Sequence, residues 1–196
     1  MNSPRRKTQP YHHGDLKNAL LDSARSILEQ KGLAALTLRA VARKARVSHA
    51  APYRHFKNLD ALLVELAREG FAALQAQVAE AAAAQGEGVD RITHIGAAYM
   101  RFVAGHPALA RLMFGPQLRN RARFPQLAEA ADGIGVEIGR ALNDPVLGVA
   151  AWAAVHGLAV LTLENVIDLG QHSAGSNVLP SRAEILLRSL FSIGAG

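Results

Sequence analysis

Apolar residues recur along this chain at intervals of three and four, and no stretch shows a sustained alternation rich in Val, Ile and Thr. A repeat near 3.6 puts side chains on one face of a helix, so the pattern predicts an all-α fold. Leu16, Leu20, Ala24, Ile27 and Leu28 keep that phase behind Asp15, a residue suited to capping, and Gly32 marks the end of the first helix. Thr37 opens a short helix over 38–45, with Leu38, Val41, Ala42 and Ala45 on one side and Arg39, Arg43 and Lys44 on another. Only Arg46 and Val47 separate it from a second short helix, Ser48 to about Phe56. Two short helices joined so tightly have the layout of a helix-turn-helix. Pro52 lacks an N–H and fits only within or just beyond a first turn, which sets the start of the second helix at Ser48 or His49.

Asn58 caps the next helix, where Leu62, Leu63, Leu66, Gly70, Ala73, Leu74 and Val78 stay in phase until an Ala run meets Gly86 and Gly88. Such a helix reaches roughly 40 Å at 1.5 Å per residue, enough to leave one small domain and enter another. Further helices are expected over 89–104, 107–114, 125–142, 145–169 and 181–193, with breaks at Gly and Pro. The loop 115–124, with Arg119, Arg121 and Arg123, reads as a mobile surface segment. The resulting organisation is a basic arm at 1–14, a three-helix domain at 15–60, and a helical domain at 61–196.

Charge changes this picture by dividing it. Residues 1–60 hold 12 Lys and Arg against 4 Asp and Glu, a net +8, whereas the remainder carries a net −2. A compact basic segment on a near-neutral body points to a polyanion as partner for the segment and to a different task for the body. Arg5, Arg6 and Lys7 precede Pro10 outside any helix; they read either as a solvated tail or as an arm that reaches phosphates or the minor groove. The absence of cysteine excludes disulfides and thiolate metal sites and fits a cytoplasmic protein. Residues 1–14 lack the apolar stretch of a signal peptide. Val146 to Leu163 tests the soluble reading, since His156 is its only ionisable group. No Lys or Arg flanks it closely and Ala and Gly dilute it, so it is read as a helix buried on both sides, with no membrane as partner.

The stretch LTLRAVARKARVSHAAPYRHFKNLDALL, 36–63, together with YHHGDLKNALLDSA upstream, resembles the DNA-binding domain of the TetR family. Thr37, Ala42, Val47, Ser48, Tyr53, Phe56 and Leu62 all fall in register with it. The resemblance implies a double-stranded DNA operator, roughly palindromic, with the second helix of the pair in the major groove. His49, Ala50 and Ala51 are then the candidates to face bases. Arg39 has two open roles, a base or minor-groove edge and a plain phosphate contact. Thr37, Lys44, Ser48, Tyr53, Arg54, His55 and Lys57 are candidates for the phosphate backbone, and Tyr53 has packing as its alternative. Two departures stand out. Arg46 occupies a turn position where many members have Gly, and Leu59 stands where many have Lys.

In the second half, WAAVHG at 152–157 is similar to the Trp-x-x-x-His-Gly signature of one subgroup. Trp152 and His156 share a helix face and either line a ligand pocket with Tyr99, Phe102 and Phe114 or belong to the core. Ala150, Ala153 and Gly157 form a stripe of small residues that suggests a homodimer interface together with Leu186, Leu187, Leu190 and Phe191. The remaining histidines have no metal-ligand spacing, and neither a nucleophile elbow nor a phosphate-binding glycine loop is present, so the sequence offers no catalytic centre, metal or cofactor. The expectation is a non-enzymatic transcriptional regulator, a repressor by resemblance, released by a small, largely apolar effector. A constitutive dimeric regulator whose second domain binds no ligand is the alternative.

Overall fold

The computed structural model describes residues 13–83, 86–118, 123–169 and 179–192. Among them are eight α-helices and no strand: α1 (His13–Lys31), α2 (Leu38–Lys44), α3 (Leu59–Ala83), α4 (Gly88–Gly105), α5 (Pro107–Phe114), α6 (Pro125–Leu142), α7 (Pro145–Leu163) and α8 (Leu179–Ser192). Two compact units divide between Leu66 and Ala67, so that α3 begins in the first and ends in the second. Arg5, Arg6, Lys7, Arg119 and Arg121 lie outside the described residues.

In the first unit, Leu20, Leu21, Ala24, Ile27 and Leu28 of α1 form a core with Val41 and Ala42 of α2, with Phe56, and with Leu62 and Leu66 of α3. Lys17 and Glu65 pair across α1 and α3. Local chemistry sets most boundaries. The Thr37 hydroxyl accepts from the Ala40 N–H at 3.1 Å and the Asn58 side-chain Oδ1 from the Ala61 N–H at 2.9 Å, so each satisfies a donor that its helix leaves open. Gly32 ends α1 at φ +75°. Asp15 falls inside the first turn of α1 rather than before it, because the helix starts at His13.

Three helix ends share one device. Arg46, Asn143 and Asn165 adopt left-handed backbone with φ of 56–58° after α2, α6 and α7. The N–H of the following residue then returns to a carbonyl five positions back: Val47 to Ala42, Asp144 to Gly139, and Val166 to Leu161. Asparagine tolerates this region well, whereas Arg46 adopts it at a steric cost of about 1–2 kcal/mol. The reversal at Asn165 explains why α7 stops at Leu163 and does not run to residue 169 as the apolar pattern suggests. Residues 116–118, expected in a loop, form a 3₁₀ turn that buries Leu118.

The second unit is held by close helix crossings. On α7 the buried stripe is Gly148, Ala151, Val155, Ala159 and Thr162, a spacing that keeps one face inward. That face packs on α4 and α6, and α8 packs on α4. At Gly148 a Cβ would sit 2.4 Å from the Cα and N of Gly139 and 2.9 Å from the Gly135 carbonyl oxygen, all backbone atoms. Gly96 of α4 similarly receives Leu187 and Val155. The expectation that α7 is buried on both sides is corrected here. Val146, Val149 and Leu161 are exposed, because nothing else in the described chain covers their side. α7 has the length and mean hydropathy, 2.0, of a membrane span, yet its inward stripe belongs to this helical core.

Gly148→Ala should therefore destabilise the second unit by about 1–3 kcal/mol or more, since overpacking against backbone cannot relax. Gly133→Ala meets only the end of the Gln75 side chain and should be tolerated. Urea denaturation followed by the fluorescence of Trp152, the single tryptophan, measures both. A Gly148→Ala midpoint equal to that of the parent protein would contradict the crossing.

Candidate nucleic-acid interface and interior cavity

The expected recognition helix from Ser48 to Phe56 is not an α-helix. Residues 49 and 50 form a turn, 51 a bend and Pro52–Arg54 a 3₁₀ turn. The cause is Pro52, which cannot donate back to Ser48. The backbone bonds tighten instead to Ala51 N–H to Ser48 carbonyl at 3.0 Å and Arg54 N–H to Ala51 carbonyl at 3.2 Å. Phe56 then plugs the segment into the core, 3 % exposed, with Ala51 and Pro52 also buried.

This winding sorts the candidate DNA-binding residues. Ser48, His49, Ala50, Tyr53, Arg54 and Lys57 are exposed, as are Thr37, Arg39 and Lys44 at and along α2. His55 is half-buried, its ring tilted against Phe56. Ala51 departs from the base-facing set: at 9 % exposure it points into the unit and offers little surface to a base. Tyr53, 57 % exposed, is not packed away.

Of the five pocket candidates, the structure brings four into one aromatic cluster. The Tyr99 hydroxyl lies 2.8 Å from His156 Nδ1, and Phe114 stacks obliquely on His156 with ring centroids 4.4 Å apart. Trp152 lies one turn before His156 on α7, packed against Gly135 of α6. Phe102 stands apart, buried beside His106 with centroids 5.1 Å apart. Burial raises the Tyr99 pKa strongly; the Trp152 indole N–H, close but outside hydrogen-bond geometry, opposes the rise. Burial lowers the His156 pKa and so favours the neutral ring.

A cavity of about 290 Å³ opens beside this cluster. His156 and Phe114 line it; Tyr99, Phe102 and Trp152 do not. Trp152 instead borders a separate groove between α6 and α7. The other walls, which sequence reasoning missed, include Val103, Ala110, Ala159, Val160 and Leu163. At the rim Arg111 donates from Nε to Glu164 at 3.0 Å and from a terminal nitrogen to the Leu163 carbonyl at the end of α7. Ala159, Val160 and Leu163 follow His156 at helical spacing, the one signal in the sequence that pointed to this wall.

Residues 20–66 match the family model described as "Bacterial regulatory proteins, tetR family". A protein with unknown function from Rhodococcus sp. RHA1 is 30% identical over 94% of this chain and 99% of that one, with a TM-score of 0.69. A bacterial regulatory protein in the tetR family from Rhodococcus RHA1 is 20% identical over 90% of this chain and 96% of its own, with a TM-score of 0.70. The transcriptional regulator FadR from Bacillus subtilis, in complex with stearoyl-CoA, shares 15% identity over 90% and 98% of the two chains at a TM-score of 0.70, a likeness of fold. No match is found among curated proteins. The helix-turn-helix sequence, the all-helical architecture and these likenesses agree, and the chain belongs to the tetR family of DNA-binding transcriptional regulators.

Proposed function

We propose that the chain is a sequence-specific repressor that binds a roughly palindromic operator as a homodimer and is released by a small, largely apolar effector held in the second unit. The observation that carries the reading is the cation-rich exposed surface of the first unit, where Arg39, Lys44, Arg54 and Lys57 are all exposed, as is His49. His49 and Ala50 face bases, one by hydrogen bond and the other by close approach and methyl contact. Thr37, Lys44, Ser48, Tyr53, Arg54, His55 and Lys57 hold the phosphate backbone, and Arg39 holds a phosphate or a groove edge.

Selection from random duplexes should yield a preferred site, and His49→Ala should relax that preference. Lys57→Ala should weaken all sequences alike and reduce the slope of affinity against salt by about 1. Equal effects of the two changes on every duplex would contradict this division of roles.

Dimerisation is supported by the outward side of α7 and α8. Ala150 and Ala153 are exposed, as are Ile185 (63 %), Leu186 (42 %) and Leu190 (45 %), an apolar surface of the kind that a second copy covers. Leu187 leaves this set, because it is fully buried against Gly96 of its own chain. Ala153→Arg places a charge in the proposed seam and should convert the protein to monomer at micromolar concentration by light scattering. A parent protein that is itself monomeric there removes the premise.

Release requires an effector with higher affinity for the conformation that binds DNA poorly. α3 is the chain's continuous connection between the units and the element through which such a preference passes. In the second unit, Gly70 and Phe71 of α3 meet Met113 and Phe114, and Phe114 lines the cavity. By linkage, a ligand of the cavity and operator DNA weaken one another by the same factor, typically about 5- to 150-fold. Titrations of such a ligand with and without operator duplex measure it. Identical dissociation constants would leave the second unit as a dimeriser alone.

A further inference from the structure

The Tyr99–His156 contact has a direction that fixes what the cavity offers a ligand. Tyr99 is fully buried, and its hydroxyl has one hydrogen to give. Were His156 protonated on Nδ1, that nitrogen would donate to Tyr99, and the tyrosine O–H would need a second acceptor. Among the described residues its one hydrogen-bond partner is His156. The other polar atom close by, Trp152 Nε1, is buried without an acceptor and can itself only donate. Tyr99 therefore donates to Nδ1 across the 2.8 Å contact, Nδ1 presents its lone pair, and the neutral ring carries its hydrogen on Nε2.

Nε2 is the ring nitrogen that Tyr99 does not hold, and the ring lines the cavity. The remaining wall is apolar apart from the rim, where Gln117 stands beside Arg111 and Glu164. Glu164 is the one carboxylate among the lining residues and is already held by Arg111 at 3.0 Å, so no unpaired negative charge awaits a cation.

Resting on the proposal that this cavity is the effector site, we infer that His156 presents an Nε2–H donor to it and that the effector is a mainly apolar molecule with an acyl oxygen positioned to accept from that donor. With Tyr99 donating to Nδ1, the Nε2 hydrogen is the donor left for a ligand, and it calls for an acceptor. The ligand class is thus ketones, esters and related acyl compounds, and organic cations are disfavoured. With about 290 Å³ available, the molecule or the portion that enters is at the small end of the roughly 300–1,000 Å³ range of ligand pockets.

The full-length protein tests this in two ways. In the first, histidine ring nitrogens of ¹⁵N-labelled protein are observed by NMR at neutral pH, with His156 assigned through its contacts to Tyr99 and Phe114. The expected signature is a neutral ring with its hydrogen on Nε2. A hydrogen on Nδ1, or a charged ring, overturns the inference even if ligands bind. In the second, acetophenone, its hydrocarbon isostere α-methylstyrene and 1-phenylethylammonium are titrated against the parent protein and His156→Phe. The change should weaken acetophenone by roughly five- to tenfold relative to α-methylstyrene, as expected for one buried hydrogen bond. The ammonium should bind weakest to the parent. If acetophenone and α-methylstyrene respond alike to His156→Phe, the donor assignment fails while the cavity remains a ligand site. If none of the three binds the parent protein, the cavity reading fails and takes the inference with it.

Discussion

The second unit depends on the approach of two backbones at the crossing of α6 and α7. With Gly148 against Gly139 and the Gly135 carbonyl, the helices meet without an intervening side chain, and every residue farther along α7 is placed by that contact. Trp152, one turn on, falls against Gly135, where a Cβ would lie 3.3 Å from the indole. His156, another turn on, then meets the Tyr99 hydroxyl on α4. Proteins pack as densely as organic crystals, so a shift of even one methylene at the crossing would be felt at the histidine. The polar contact at the cavity is in this sense a consequence of three glycines some turns away.

The first unit is governed by a different constraint, the missing N–H of Pro52. An α-helical segment would turn its residues by 100° each, whereas the tighter 3₁₀ winding turns them by about 120° and eclipses positions three apart. Ala51 is carried into the core and His49 and Ala50 stay outside. The basic surface is assembled by short-range rules, capping at Thr37 and Asn58 and the left-handed turn at Arg46. Arg46 in that turn adds a cation to the surface at a cost in backbone energy that glycine would avoid.

How much of this was legible follows from the range of the interactions. Caps, glycine stops and proline breaks act within a few residues, and they placed the helix bounds of α2 to α6 within a residue or two. The end of α7 was not legible, because no glycine or proline falls between Gly157 and Gly170 and the left-handed turn falls on Asn165. The tyrosine, phenylalanine and histidine of the pocket were named as a set, yet only His156 and Phe114 reach the cavity. Aromatic residues on helical faces reveal that they are buried, and only the crossing of α4, α5 and α7 decides which of them border empty space. Arg111 and Glu164, far apart in sequence and unremarkable in pattern, meet only through that crossing.

α7 is apolar all round, and only one half of its surface is covered by its own chain. Its inner stripe from Gly148 to Thr162 is filled by α4 and α6, whereas Val146, Val149 and Leu161 stand exposed in the single chain. Val160 takes part in both, lining the cavity while remaining 36 % exposed. A helix that packs on both sides cannot tilt for one neighbour without changing its fit to the other, because close-packed contacts resist continuous deformation. In the proposed dimer, a molecule entering beside His156 presses on the same helix that forms the seam with the second copy. The occupancy of one cavity would then be felt by both chains, and the cost of adjusting the seam would set how far the binding energy can move α5, α3 and the DNA-binding surface beyond them.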